Sequence, residues 1–212
     1  MSLELNLNPI YRFFGEKFAS HGPTPAGLDW PSQIAMEIRF EQILKICDAS
    51  IPFSIIDYGC GYGALIEMLD RWNMHYDYYG FDIVEAMIEQ ANREFTQYPY
   101  CHFTTDLSTL PVCDYVVESG VFNIRLDTSD HTWTAHILDT LHLFDRLSCK
   151  GFAFNMLTRY SDEEYIEKRP ELYYGDPCFF FDYCKKHFSR NVALLHDYEI
   201  YDFTILVRKG QS

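Results

Sequence analysis

The sequence predicts an α/β fold, a doubly wound and mostly parallel sheet with helices on both faces, and three observations carry that expectation. Ile55-Ile56-Asp57-Tyr58-Gly59-Cys60-Gly61-Tyr62-Gly63 is an apolar run that stops at a carboxylate and opens into alternate glycines, the pattern of a strand, a tight turn and a helix. Short apolar runs then alternate with segments of helical periodicity as far as residue 157. Two β-rich runs, 192–196 and 201–207, close the chain with only a short acidic turn between them, as in an antiparallel pair.

Composition bounds what such a fold could do. A chain of 212 residues with 48% apolar content has enough material for one packed core. Seventeen basic against 31 acidic residues leave a formal charge of −14, a poor match for a nucleic acid. No uninterrupted apolar run is long enough to span a bilayer, and Met1-Ser-Leu-Glu-Leu-Asn lacks the features of a signal peptide, so a cytoplasmic protein without membrane partners is expected. The seven cysteines are scattered and the eight histidines show no ligand spacing, so no metal site is expected. Oligomeric state is not specified by the sequence.

The elements follow in order. Residues 1–50 read as an N-terminal helical and loop segment that covers the ligand-binding face, and 51–212 as the α/β domain. Residues 1 to about 30, rich in proline, glycine and aromatics, suggest short helix and loop, and Gln33–Cys47 has Met36, Phe40, Ile43, Leu44 and Cys47 at helical spacing. Arg39 lies at the edge of that stripe, as an ion-paired residue or as a ligand for a carboxylate. Strand 53–58 and helix 64–72 flank the glycine turn. Strand 76–83 places Asp82 about twenty residues beyond the turn, where a carboxylate would lie at ribose distance from it. Helix 85–95 starts close to Met87, and 101–107 reads as a third strand ending at Asp106-Leu107. A fourth strand from Asp114 runs into the loop Glu118–Asn123, which includes Ser119, Gly120 and Phe122. Helix 132–147, strand 151–157, an aromatic and charged loop 160–176 and helix 177–188 lead to the final strand pair.

The sign of the charge at the glycine turn separates its ligands. In a dinucleotide-binding turn the glycines meet a pyrophosphate, and Asp57, two residues before Gly59, would repel that anion. It suits a ligand bearing an ammonium and a sulfonium. Asp57-Tyr-Gly-Cys-Gly-Tyr-Gly63, with Asp82, Asp106 and the 118–123 loop following in order, resembles the class I S-adenosylmethionine (SAM)-dependent methyltransferases over roughly residues 51–207.

The resemblance implies a seven-stranded sheet, a terminal antiparallel pair and SAM as cofactor, with S-adenosylhomocysteine (SAH) as product. It also implies a set of cofactor contacts: Asp57, Gly59 and Gly61 near the methionine part, Asp82 at the ribose, Asp106 near the adenine with Leu107 packing by the ring, and Glu118, Ser119 and Gly120 beneath the sulfonium, with Tyr58, Cys60, Ile83, Met87 and Arg39 as further cofactor-binding candidates. Two other readings stand beside it. Gly59-x-Gly61-x-x-Ala64 with Asp82 also satisfies the dinucleotide pattern of an NAD-dependent oxidoreductase, and a noncatalytic SAM-fold interaction module would keep the same turn.

A methyltransferase of this kind would act on a small or medium organic acceptor by in-line transfer. Its pocket is expected from the N-terminal segment and the 160–176 loop, with Tyr11, Trp30, Phe122, Tyr160 and Tyr173 as candidate contacts. His131, Tyr173 and Tyr174 are the candidates for a general base.

Overall fold

A computed structural model describes residues 5–210, so the ends of both predicted segments, 1–4 and 211–212, lie outside the described residues. Seven strands form one sheet in the order β3-β2-β1-β4-β5-β7-β6: β1 Phe53–Tyr58, β2 Tyr76–Phe81, β3 Cys101–Thr104, β4 Cys113–Ser119, β5 Ser148–Leu157, β6 Asn191–Leu195 and β7 Asp202–Arg208. The pairs among β1 to β5 are parallel, whereas β7 runs antiparallel to β5 and β6, as the sequence predicts. Strand order reverses between β1 and β4. The crevice beyond the carboxyl ends of these two strands is where open α/β sheets bind ligands.

Side chains on successive strand residues point to opposite faces, and two cores result. Ile55, Val117, Ala153 and Leu206 face α2 (Gln33–Leu44) and α3 (Leu65–Arg71). Ile56, Val116, Phe152, Phe154, Ile205 and Val207 face α5 (Asp130–Leu147) and α7 (Pro177–His187). Trp133, Ile137, Leu141 and Phe144 form the predicted stripe on α5, all essentially buried. At about 1.5–3 kcal/mol for each large apolar side chain removed from water, this stripe is what docks the helix. Helix α4 (Glu85–Glu94) buries Met87, Ile88 and Ala91.

The N-terminal segment is more ordered than its prolines and glycines suggest. Residues Asn8–His21 form a 14-residue helix, α1, because Pro9 falls in the first turn, where its missing N–H costs nothing. A 3₁₀ turn, Pro25–Leu28, follows, capped by the Thr24 side chain. Phe14, Phe18 and Leu28 pack with Val84 and Met87 in a small separate core, which lays α1 over the strand-end crevice. The 160–176 stretch also contains a short helix, α6 (Glu163–Lys168), begun by three consecutive acidic residues at its positive end. The third strand is shorter than predicted: Thr104 ends it, and Leu107–Thr109 is a 3₁₀ turn.

Candidate active site

At the end of β1 the chain turns through Gly59 at φ 80° and Gly61 at φ 55°, values that penalise any side chain. The turn is tied to β2, since Gly59 N–H and Cys60 N–H both donate to the Phe81 carbonyl, at 2.7 and 3.0 Å. Space above it is short. A Cβ at Gly59 would lie 2.0 Å from Val121 Cγ2, and one at Gly61 would lie 2.6 Å from Leu28 Cδ2.

Three carboxylates converge at the ends of β1, β2 and β4. Asp57 is buried and accepts from the Tyr78 hydroxyl at 2.6 Å. Burial raises its pKa to about 7 against the lowering effect of that bond, and the neighbouring Asp82 raises it further. Asp82 accepts from Gly61 N–H at 2.9 Å and from Val84 N–H at 2.8 Å, so it fixes the glycine turn and starts α4. Burial raises its pKa, and the backbone donors oppose the shift. Glu118 is fully buried and accepts from Val121 N–H at 2.5 Å, while its other oxygen has no partner. Burial pushes its pKa well above the ordinary carboxylate value, against the lowering effect of the Val121 and Phe122 N–H donors.

These strand ends open into a cavity of about 90 Å³ whose wall includes Asp57, Asp82, Met87, Ser119, Trp30 and His136. Among the described residues no lysine or arginine is in that wall. Buried carboxylates that repel one another and lack a basic partner suit a cationic ligand. The residues therefore fit the ammonium and sulfonium of SAM.

The comparisons with known proteins agree. The residues 55–143 match a family model described as "Methyltransferase domain". The chain is 46% identical over 167 residues to "Putative methyltransferase Rv1506c" of Mycobacterium tuberculosis (strain ATCC 25618 / H37Rv), covering 79% of this chain and 99% of that protein. This chain is a class I SAM-dependent methyltransferase. Solved structures share the fold at low identity. Human N-acetylserotonin methyltransferase in complex with SAM aligns at 18% identity and TM-score 0.67, over 100% of this chain and 60% of that one. The N-methyltransferase NodS of Bradyrhizobium japonicum WM9 with SAH aligns at 15% and 0.63, over 95% and 98%.

The methyltransferase brings only part of the predicted contact set together. Asp57, Tyr58, Gly59, Cys60, Asp82, Ile83, Met87, Ser119 and Gly120 line the cavity, whereas Gly61 is not in its wall and acts through its N–H bond to Asp82. Glu118 is not in the wall, because its carboxyl turns back to hold the backbone of the loop that follows β4. Asp106 is exposed and caps the 3₁₀ turn through Ser108 N–H, with Leu107 beside it at the surface. Arg39 is buried in an ion pair with Asp202 and faces a second cavity rather than the first.

The other candidates separate similarly. Trp30 lines both cavities. Phe122 is a core residue, Tyr11 and Tyr160 are exposed, and Tyr173 is buried with its hydroxyl 2.7 Å from Thr134 Oγ1. The Tyr174 hydroxyl reaches the Arg169 carbonyl at 3.4 Å. His131 is exposed at the start of α5, but His136, one turn further on, lines the first cavity beside Trp133. Sequence reasoning had a signal for His136: it lies three residues from Trp133, on the buried edge of the same stripe. Burial lowers its pKa, leaving a neutral imidazole. Among the described residues no metal-binding cluster and no helix long and apolar enough to cross a membrane is present.

Proposed function

We propose that this methyltransferase transfers the SAM methyl to a small organic acceptor seated in the second cavity. The carrying observation is the pair of adjoining cavities, one lined by acids at the strand ends and one of about 320 Å³ behind it, sharing Phe14, Leu28, Trp30 and Gly120. The larger cavity draws its walls from the N-terminal segment and the 160–176 loop, the two parts outside the regular strand and helix alternation. Small-molecule neighbours such as the N-acetylserotonin enzyme support the acceptor size.

When bound, SAM supplies an activated methyl group, so the protein's task is alignment and exclusion of water. Asp82 and Asp57 would hold the ribose and methionine ends, and α1 with Leu28 would cover them. Tyr173 N–H donates to the Asn123 carbonyl at 2.8 Å, which straps the 160–176 loop to the loop after β4 and so positions the acceptor wall. For an acceptor that arrives protonated, His136 is the available base, since its neutral imidazole is in the cofactor cavity wall. The free thiols support a reducing compartment such as the cytoplasm, and the acidic surface argues against nucleic acid as partner.

Titration calorimetry with SAM, SAH and NADH tests the cofactor assignment. Micromolar binding of SAM and SAH with no heat from NADH is expected, and heat from NADH alone would overturn it.

A further inference from the structure

We propose that the larger cavity selects an acceptor carrying a carboxylate, held by Arg39, Lys17 and Arg169. This rests on the methyltransferase reading and names the acceptor class within it. The two cavities divide the charges of the chain unequally. In a protein of net charge −14, the larger cavity is lined by three fixed cations, Lys17, Arg39 and Arg169, together with His21, against the single carboxylate of Asp29. The cofactor cavity has two carboxylates and no fixed cation.

Arg39 is the strongest element of the site. Its residue is 5% exposed and lines the cavity, with the guanidinium 4.3 Å above the Trp30 ring. Nη1 donates to the Ala35 carbonyl at 2.7 Å and Nη2 pairs with Asp202, while Nε is buried away from the cavity without a partner. A guanidinium held in place at a cavity wall, with two further cations in the same lining, favours a carboxylate over a neutral acceptor. Asp202 and Glu171, which pair with Arg39 and Arg169, are themselves absent from the wall.

An amine acceptor would have to find its partner in Asp29, and that carboxylate is already taken at both oxygens. Lys17 Nζ lies 2.8 Å from Oδ1 and Arg169 Nη2 lies 2.9 Å from Oδ2. An ammonium must displace one of these cations, whereas a carboxylate joins them. Phe14, Trp30, Tyr165 and Leu28 provide the apolar surface for the body of such a molecule.

Three probes with one ring and different charge decide the matter: benzoate, benzamide and benzylamine, titrated into the SAH-saturated protein and followed by ligand-observed NMR. Benzoate is expected to bind at least about fivefold tighter than benzamide, with benzylamine weakest, the scale of one or two charge-assisted hydrogen bonds. Lys17→Gln and Arg169→Gln alter half-exposed side chains and should each erode that preference, while freeing one oxygen of Asp29 and so raising benzylamine affinity. A mere disturbance of the fold would not produce that opposite movement. Equal affinity for the three probes, binding of none, or preference for benzylamine overturns the proposal. SAH affinity measured in the same samples separates the two readings: SAH bound without benzoate preference defeats only the anion assignment, and SAH not bound defeats the methyltransferase site itself.

Discussion

Asp57→Asn should remove most of the pH dependence of SAM binding. In the free protein burial holds the Asp57 carboxyl at about 7, from an ordinary value of 3.8, so near pH 6 it is mostly the neutral acid. A unit positive charge about 6 Å away, at an effective dielectric of about 20, stabilises the anion by about 3 kcal/mol, equivalent to a lowering of roughly two pKa units. Binding of the cation therefore expels a proton, and between pH 5 and 8 the affinity for SAM should rise on the order of fortyfold. SAH lacks the sulfonium charge and should show a smaller rise.

Stability of the free protein has the opposite slope. A folded-state pKa above the unfolded one contributes stability that is full below about 4 and is lost as pH rises through about 7, by up to about 4 kcal/mol for this burial. Asp57→Asn should therefore melt higher than the parent protein at pH 8, with Asn still able to accept from Tyr78. Calorimetric SAM titrations at half-unit pH steps, with melting curves on the same samples, provide both readouts. A SAM affinity flat from pH 5 to 8, or a slope undiminished in Asp57→Asn, would refute the reasoning.

Two further substitutions test the other acids. Asp82→Ala should weaken SAM at least about tenfold and also lower the melting temperature, because it leaves the buried Gly61 and Val84 N–H groups without acceptors at about 1–3 kcal/mol each; unchanged SAM affinity by calorimetry would exclude Asp82 from the cofactor site. Glu118→Gln should be nearly neutral in thermal unfolding at pH 7, since burial favours the uncharged acid and the amide oxygen can serve Val121 N–H. Glu118→Ala should cost about 1–3 kcal/mol by orphaning that donor, and a strongly destabilised Gln variant would show that the buried carboxyl is ionised.

The sheet was legible because its signals are local. Strand β1 occupies 53–58 as the apolar run predicts, and the stripe on α5 follows the 3.6-residue period from Trp133 to Phe144. Helix α6 is short and was hidden in a segment whose aromatics and charges have no clear period. The site was legible where function depends on position along one strand end, as for Asp57, Gly59 and Asp82. It was illegible where contacts join distant parts of the chain. Nothing local links Arg39 to Asp202 or Asp29 to Arg169, partners 163 and 140 residues apart. Glu118 is instructive in another way. Its place at a strand end suggested a ligand contact, but the tight turn through Gly120 brings backbone N–H groups to it first.

Gly120 has a consequence that reaches beyond its own turn. It adopts φ 91°, and a Cβ there would stand 2.4 Å from the Trp30 ring. The indole of the covering segment is thus seated on bare main chain, between the acid-lined and the cation-lined spaces. Any movement that lifts Trp30 from this seat would connect the two compartments, and the same movement would strain Asp29, the single residue between Leu28 and Trp30, against its two cations. Communication between donor and acceptor is then a matter of timing: the ionic tether that stabilises the covering segment also sets how often the partition opens, so raised salt should hasten exchange of the cofactor, which does not touch the tether.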